Sequence, residues 1–428
     1  MRIEQLRVSY QELPLRTPLV FASGEVRTHT LATVEAQVRA AGRRTVGRGA
    51  ILLGTTWAWP GPLPHQQRDE TMRGMVAALC RRLQGARGHP LDLWWEVKGE
   101  LAGLGAGAPL LACLVAASPV DAALHDAFGR LHGVDAYTAC GPDFMGHDLS
   151  AWLGPRFRGR QVTDFLLPRC QQQMPAVHLV GGADKLRDSE IAPGDPRDGL
   201  PVSLQQWMAR DGVWAFKVKL KGTDLDWDLA RLAAVVEVVE QAGGSNYALT
   251  IDTNEMCPHP EQMIELLARF REASPRGYER LRYLEQPTER ELGAHRYDMR
   301  KLAALKPVLA DEAVTDLASF TLARELGWSG LALKTCKGHS AALVYLAALE
   351  EAGLPYSVQD LTNPGLALVH SAGLAARCRP LLGVECNARQ YLPHACLQVQ
   401  AGYPGLFQVH AGLVSTAELG PLGLGYRD

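Results

Sequence analysis

After Met174 the chain repeats one local pattern eight times: a short apolar run followed, in most cases, by a helical stretch. The runs are AVHLV, WAFKVKL, YALTID, RYLEQP, PVLADE, GLALK, PYSVQD and LLGVE. Between them lie segments with apolar residues at helical spacing, such as DLARLAAVVEVVEQAG, PEQMIELLARF and SAALVYLAALEEAG. Strand–helix alternation forces consecutive strands to run parallel, because the helix carries the chain back to the starting edge. Eight such strands predict a closed (β/α) barrel of TIM type. An open doubly wound sheet is the competing arrangement, but no GxGxxG follows the first run.

The residues before this series read differently. In the first ~60 positions, segments such as Arg2–Tyr10 and Thr30–Arg39 alternate or are β-branched. From about Gln66 to Gly133 the period becomes helical, as in MRGMVAALCRRL and VDAALHDAFGRLHG. The expectation is an N-terminal α+β domain over residues 1–140, capping a barrel over 174–387. Residues 388–428 would then pack back onto the cap and complete it. Ala183–Gly199, rich in Gly, Pro and Asp, reads as a loop.

Composition narrows the function. With 428 residues, 47% of them hydrophobic and 21% charged, the chain can bury a large core. Its 44 Lys+Arg against 46 Asp+Glu leave a net charge of −2, with no basic footprint for nucleic acid. Nine cysteines without CxxC pairs form neither a disulfide framework nor a zinc pattern. Leu101–Val120 carries no charge and is long enough to span a bilayer, but its Gly, Pro and Ala content reads as close packing in a buried helix. The N-terminus shows no apolar signal-peptide stretch, so the expected setting is cytoplasmic, without a membrane partner.

The chemistry lies at the strand ends. Parallel barrel strands are covered on both faces and should be almost wholly apolar. Here they run into Lys217 and Lys219, Asp252, Glu285, Asp311 with Glu312, Lys334, Asp360 and Glu385. Any one of these alone reads as a helix cap or a solvated loop charge. Together they stand at the C-terminal mouth, where barrel active sites are built. Asp252, Glu285 and Asp311 make a hard, all-oxygen donor set, for which Mg²⁺ is the expected ion and Mn²⁺ the second choice. Lys219 and Lys334 approach from nearly opposite sides. A carboxylate held by a metal between two amines is poised to lose its α proton, with Lys217 and the metal stabilising the enediolate. A desolvated lysine beside other cations has a lowered pKa and can serve as the base.

The motifs FKVKL, LTIDTNE, YLEQP, LADEA and LALKTCK resemble those of the enolase superfamily, in the muconate lactonizing enzyme subgroup of the mandelate racemase/muconate lactonizing enzyme family. VDAALHDAFGRLHGVDAY is similar to the helical part of that family's capping domain. The resemblance implies Asp252, Glu285 and Asp311 as metal ligands, spaced 33 and 26 residues apart, about one βα unit each. It also implies Lys219 and Lys334 as the acid/base pair and Lys217 as a neutraliser of the substrate carboxylate. A small-molecule carboxylate substrate and a homo-oligomer follow from it as well. Two departures stand out. The usual K-x-x-K-x-G-G is here Lys334-Thr-Cys-Lys337-Gly338-His339, and the Asp-x-Asp of dipeptide epimerases is Glu385-Cys386-Asn387. The second argues against a dipeptide substrate.

By the same resemblance, Thr17–Glu25 and Gly49–Trp59 are cap loops over the mouth, with Phe21 and Trp57 near substrate or packing cap on barrel. Asn254, Glu312, Glu385 and Asn387 are the remaining candidate substrate contacts. His339, His370 and Cys336 read as packing residues. The leading expectation is an isomerase, either racemase/epimerase or cycloisomerase. A dehydratase or related carbon–oxygen lyase acting on an acid sugar is the alternative. Two unrelated readings stay open: a metal-free Schiff-base barrel using Lys219 or Lys334, and a barrel that only binds a carboxylate.

Overall fold

The computed structural model describes residues 1–21, 24–105, 107–359 and 361–427, with only the backbone of residues 20, 21 and 24. Three antiparallel strands open the chain: β1 (Arg2–Phe21), β2 (Gly24–Ala40) and β3 (Arg43–Leu52), in the order β1-β2-β3. The segment Thr17–Glu25, expected as a loop, is instead paired strand on both sides, Leu19 opposite Val26. A register shift between Pro14 and Leu19 accommodates Pro14 and Pro18, which cannot donate to a regular ladder. Ala22 and Ser23 lie outside the described residues. Gly49–Trp59 is likewise not all loop: β3 continues to Leu52, and Thr55–Ala58 is a short helix.

Helices His65–Leu83, Pro90–Lys98 and Leu110–His132 cover this sheet. The last packs directly on β3, and glycine makes that approach possible. A Cβ on Gly47 would lie 2.1 Å from the Ala127 nitrogen, and one on Gly49 would lie 2.2 Å from the Pro119 carbonyl oxygen. Pro119 sits inside this helix and cannot donate to Val115; the Ser118 hydroxyl donates to that oxygen instead, at 2.8 Å. Among the described residues this is the helix long and apolar enough to cross a membrane, yet 94% of its apolar window is buried inside the fold.

Eight parallel strands follow: β4 (Gln173–Val180), β5 (Ala215–Lys219), β6 (Ala248–Asp252), β7 (Leu281–Glu285), β8 (Val308–Ala310), β9 (Gly330–Lys334), β10 (Tyr356–Gln359) and β11 (Val384–Glu385). Each neighbours the next, and β11 pairs back onto β4 through Val384–Ala176 and Glu385–Val177, closing the barrel. All eight runs read from the sequence are these strands. The α/β barrel with a separate N-terminal sheet domain is therefore the architecture of the chain.

The C-terminal residues touch both parts. β12 (Leu413–Ser415) adds antiparallel to β4. Further on, Leu424 donates to Asp126 at 2.9 Å, the Arg130 guanidinium donates to the Tyr426 carbonyl at 2.6 Å, and Gly423 bridges to Asp135.

Candidate active site

Strand register decides which side chains meet. Lys219 on β5 is the Cα partner of Asp252 on β6, and Asp252 is the partner of Glu285 on β7. These three therefore form one row across the barrel mouth. Phe216 and Val218 are fully buried on the opposite face of β5, leaving Lys217 and Lys219 pointing into the barrel. Lys334 ends β9, four strands round from β5, so the two lysines approach from opposite sides, with Gln359 of β10 beside Lys334.

The result is a buried ionic network. Lys217 Nζ lies 3.1 Å from Asp252 Oδ2, 2.8 Å from Glu285 Oε2 and 2.9 Å from Glu385 Oε1. Lys219 Nζ donates to Asp252 Oδ2 at 2.5 Å and to Asn254 Oδ1 at 2.7 Å. Lys334 Nζ donates to Asp311 Oδ2 at 2.5 Å and lies 3.7 Å from Glu285. Lys337, one helical turn on, reaches Asp311 Oδ1 at 2.9 Å and donates to its carbonyl at 2.5 Å. Glu312 Oε1 accepts from Trp57 Nε1 at 2.7 Å and from Asn254 Nδ2 at 3.2 Å, while its Oε2 has no partner among the described residues.

Within this network five carboxylates (Asp252, Glu285, Asp311, Glu312, Glu385) face four ammonium groups. Burial pushes Glu285 up to about 8, with Asp252 and Asp311 adding to the effect against Lys217 and Lys334. Burial and the same two aspartates push Glu312 up to about 7. Burial also opposes ionisation of Asp252, but Lys219 and Lys217 outweigh it and hold the carboxyl at about 2. Asp311 is likewise held well below its ordinary value, by Lys334 and Lys337. Sequence reasoning expected lysines with lowered pKa. For Lys334 burial does act that way, but Asp311 and Glu285 outweigh it and keep the ammonium charged. Lys217 is raised too, by Glu285, Glu385 and Asp252. The expectation weighed neighbouring cations; the structure sets each lysine against carboxylates.

Asp252, Glu285 and Asp311 are each at most 1% exposed and come from successive strands. As placed, among the described residues no three His, Cys, Asp or Glu side chains converge at metal-binding distance; lysine nitrogens stand among these carboxylates. The donor chemistry nevertheless suits a hard cation. The network has one formal negative charge in excess, Glu285 bears the penalty of buried like charge, and the donors are all oxygen. A dication would leave one positive charge to meet a monoanion.

Above the network opens a cavity of about 720 Å³, lined by Trp57, Lys217, Lys219, Asn254, Glu312, Lys334, Glu385 and Asn387 among others. Trp57 is delivered by the short helix Thr55–Ala58, whose N-cap Gly54 has φ 52° and leaves no room for a Cβ beside Leu361. Its ring lies 4.7 Å from Lys334 Nζ. Two turns carry strained backbone where the chemistry is densest: Asn254 (φ 45°) and Glu255 (φ 66°) follow Asp252, and Gln286 (φ 31°) follows Glu285. Gln286 Oε1 then accepts from the Asp311 and Ala313 amides at 2.8 and 3.2 Å, fixing the next turn.

The side chain of Phe21 and all of Asp360 lie outside the described residues. Sequence reasoning did not assign Lys337, Gln359, Gln286 or Arg290 to the site. Lys337 could have been found from its three-residue spacing to Lys334. Gln359 donates to Glu285 and accepts from Lys217 at 3.3 Å, but an uncharged residue before Asp360 gave no signal. Arg290 donates to the Trp57 carbonyl at 3.2 Å. His339 and His370 are fully buried and bonded to each other at 2.8 Å between the cap and barrel helices.

No curated protein matches the sequence. Among solved structures, the L-Ala-D/L-Glu epimerase from Bacillus subtilis is 18% identical with TM-score 0.67, covering 99% of this chain and 98% of that one. A dipeptide epimerase from Enterococcus faecalis V583, complexed with Mg and L-Leu-L-Tyr, is 17% identical with TM-score 0.66, covering 99% of both chains. A muconate lactonizing enzyme from Pseudomonas fluorescens, complexed with muconolactone, is 19% identical with TM-score 0.65, covering 99% of this chain and 95% of that one. These likenesses establish a shared fold. A family model described as enolase C-terminal domain-like matches residues 200–426, more than half of the chain. The chain therefore belongs to the enolase C-terminal domain-like family, as its motifs led one to expect.

Proposed function

We propose that the protein is an isomerase that removes the proton α to a substrate carboxylate, using Mg²⁺. The observation that carries this reading is the placement of Lys219 and Lys334 on opposite sides of one buried carboxylate cluster, both lining the cavity. Asp252, Glu285 and Asp311 would hold the ion. When bound, a divalent cation would take over these carboxylates from the lysines and draw electron density from a substrate carboxylate. Lys217 sits where it can meet the negative charge that grows on the substrate carboxylate. Lys219 takes or returns the α proton on one face, and Lys334 does so on the other. Trp57, held by Glu312, closes the cavity on the cap side. The Mg-bound epimerase of the same fold supports this choice of ion.

The test is exchange of the α proton for deuterium in D₂O containing Mg²⁺, followed by NMR across a set of carboxylic acids. Exchange by the native protein, lost in Lys219→Ala and Lys334→Ala, is the expected outcome. Exchange that survives both substitutions, or activity that survives full metal removal and is trapped by borohydride, would sink the reading. Product analysis then separates racemisation from cycloisomerisation and from elimination.

A further inference from the structure

Resting on the proposed reaction, we infer that the cavity takes a monocarboxylate with a large apolar far end, and not a dicarboxylate. The cavity floor is ionic, but the walls leading away from it are Leu19, Pro60, Leu179, Leu220, Trp227 and Met256. Leu179 and Leu220 are buried, and the other four are exposed enough to lose further apolar surface to a ligand.

Among the described residues, the cations on these walls are already paired. Arg290 is engaged by Glu255 through two bonds of 2.6 and 2.7 Å, and the Nη1 left without a partner among the described residues is buried. Lys221 pairs with Asp224 at 3.1 Å, with its ammonium 4.7 Å from the Trp227 ring. The acids that line this part, Asp184 and Glu255, would repel a second anion. Asp184 is itself held by the Gly181 amide and the Tyr391 hydroxyl, both at 2.7 Å. Seating a dicarboxylate would require breaking an existing ion pair and desolvating a charge against apolar walls. A ring or branched alkyl group meets neither cost, and about 720 Å³ leaves room for it beyond the carboxylate.

The test uses two α-hydroxy acids that share the reacting end: 3-phenyllactate, which ends in a ring, and malate, which ends in a carboxylate. Affinities are measured by calorimetry with the full chain and Mg²⁺, and α-proton exchange is followed in D₂O. Phenyllactate should bind at least tenfold more tightly. Leu220→Arg should reverse that order, and Trp227→Ala, at a partly buried position on the cavity wall, should weaken phenyllactate more than malate. Equal or tighter malate binding, exchange of malate alone, or binding of neither acid overturns the inference. Binding in the expected order without exchange of either acid upholds the inference about the occupant and counts against the proposed reaction.

Discussion

The indole nitrogen of Trp57 donates to the Glu312 carboxylate at 2.7 Å across 255 positions of sequence. It ties a four-residue cap helix to the turn after β8, and the same ring lies over Lys334. Trp57→Phe keeps an aromatic ring but removes the donor from a buried acid. The loss of a hydrogen bond to a charged group costs about 1.5–3 kcal/mol, so kcat/KM for α-proton exchange should fall ~10–100-fold with the circular-dichroism spectrum unchanged. Steady-state kinetics on an acid found by the exchange screen checks this.

Lys337 gives Asp311 its second ammonium partner. Lys337→Met leaves that buried carboxylate with Lys334 alone and raises the negative excess of the network. Breaking a buried ion pair from one side costs about 3–5 kcal/mol. The urea midpoint of unfolding should drop accordingly, and exchange activity with it.

If the proposed metal reading holds, dialysis against a chelator abolishes exchange and added Mg²⁺ restores it. Asp311→Asn should weaken Mg²⁺ binding at least tenfold in a calorimetric titration, because one anionic oxygen donor of the hard set is lost.

The tight seat of β3 against the helix Leu110–His132 predicts a different kind of sensitivity. Gly49→Ala places a methyl 2.2 Å from the Pro119 oxygen and 2.5 Å from the Ala123 nitrogen, both backbone atoms. Strand and helix must separate, at a cost of about 1–3 kcal/mol. A thermal melt of the variant should show the lowered midpoint.

The buried histidines of the fold pull stability down as the solution is acidified. Burial holds His89 at about 4 and His370 at about 3, and also lowers His29, His125 and His339. Their geometry requires neutral rings: His89 Nδ1 accepts from the Leu91 amide, and His370 faces His339. Unfolded, such rings protonate around pH 6.5. Between that value and the folded ones, these rings bind more protons in the unfolded chain, so their contribution to stability drops as pH falls from about 7 to about 3. Carboxyls that burial raises work in the opposite direction, among them Asp121 and Glu312 at about 7 and Glu285 at about 8, so the histidine contribution is read from a variant and not from the total slope. His89 and His370 should each contribute about 1–2 kcal/mol of lost stability at pH 5. Urea titrations at pH 7 and 5 measure the difference in stability, which His370→Asn should move in favour of pH 5 by about 1–2 kcal/mol.

The barrel was legible because its strands are covered on both faces. Apolar runs such as GLALK stop abruptly at the charge that reaches the mouth, and alternation alone put Lys217 and Lys219 on the inner face of β5. The cap was less legible. β1 and β2 extend to Phe21 and Gly24 through Thr17–Glu25, which the family resemblance marks as a cap loop and whose proline and glycine disfavour a regular strand. Pairing with β2 overrode those local preferences. In the site, the charged strand ends were visible, but their balance was not. Whether a buried lysine loses or keeps its proton depends on which carboxylates face it across the barrel, and that is set by register. Gln359 and Gln286 escaped notice because an amide becomes informative only once its two partners are known.

The bonds from Leu424 and Tyr426 to Asp126 and Arg130 also impose an order in time. During synthesis the cap sheet and its helices emerge first, but their long helix is clasped only after the last barrel strand has been made. About 300 residues therefore separate the two halves of that contact, so it closes a loop that holds the whole barrel.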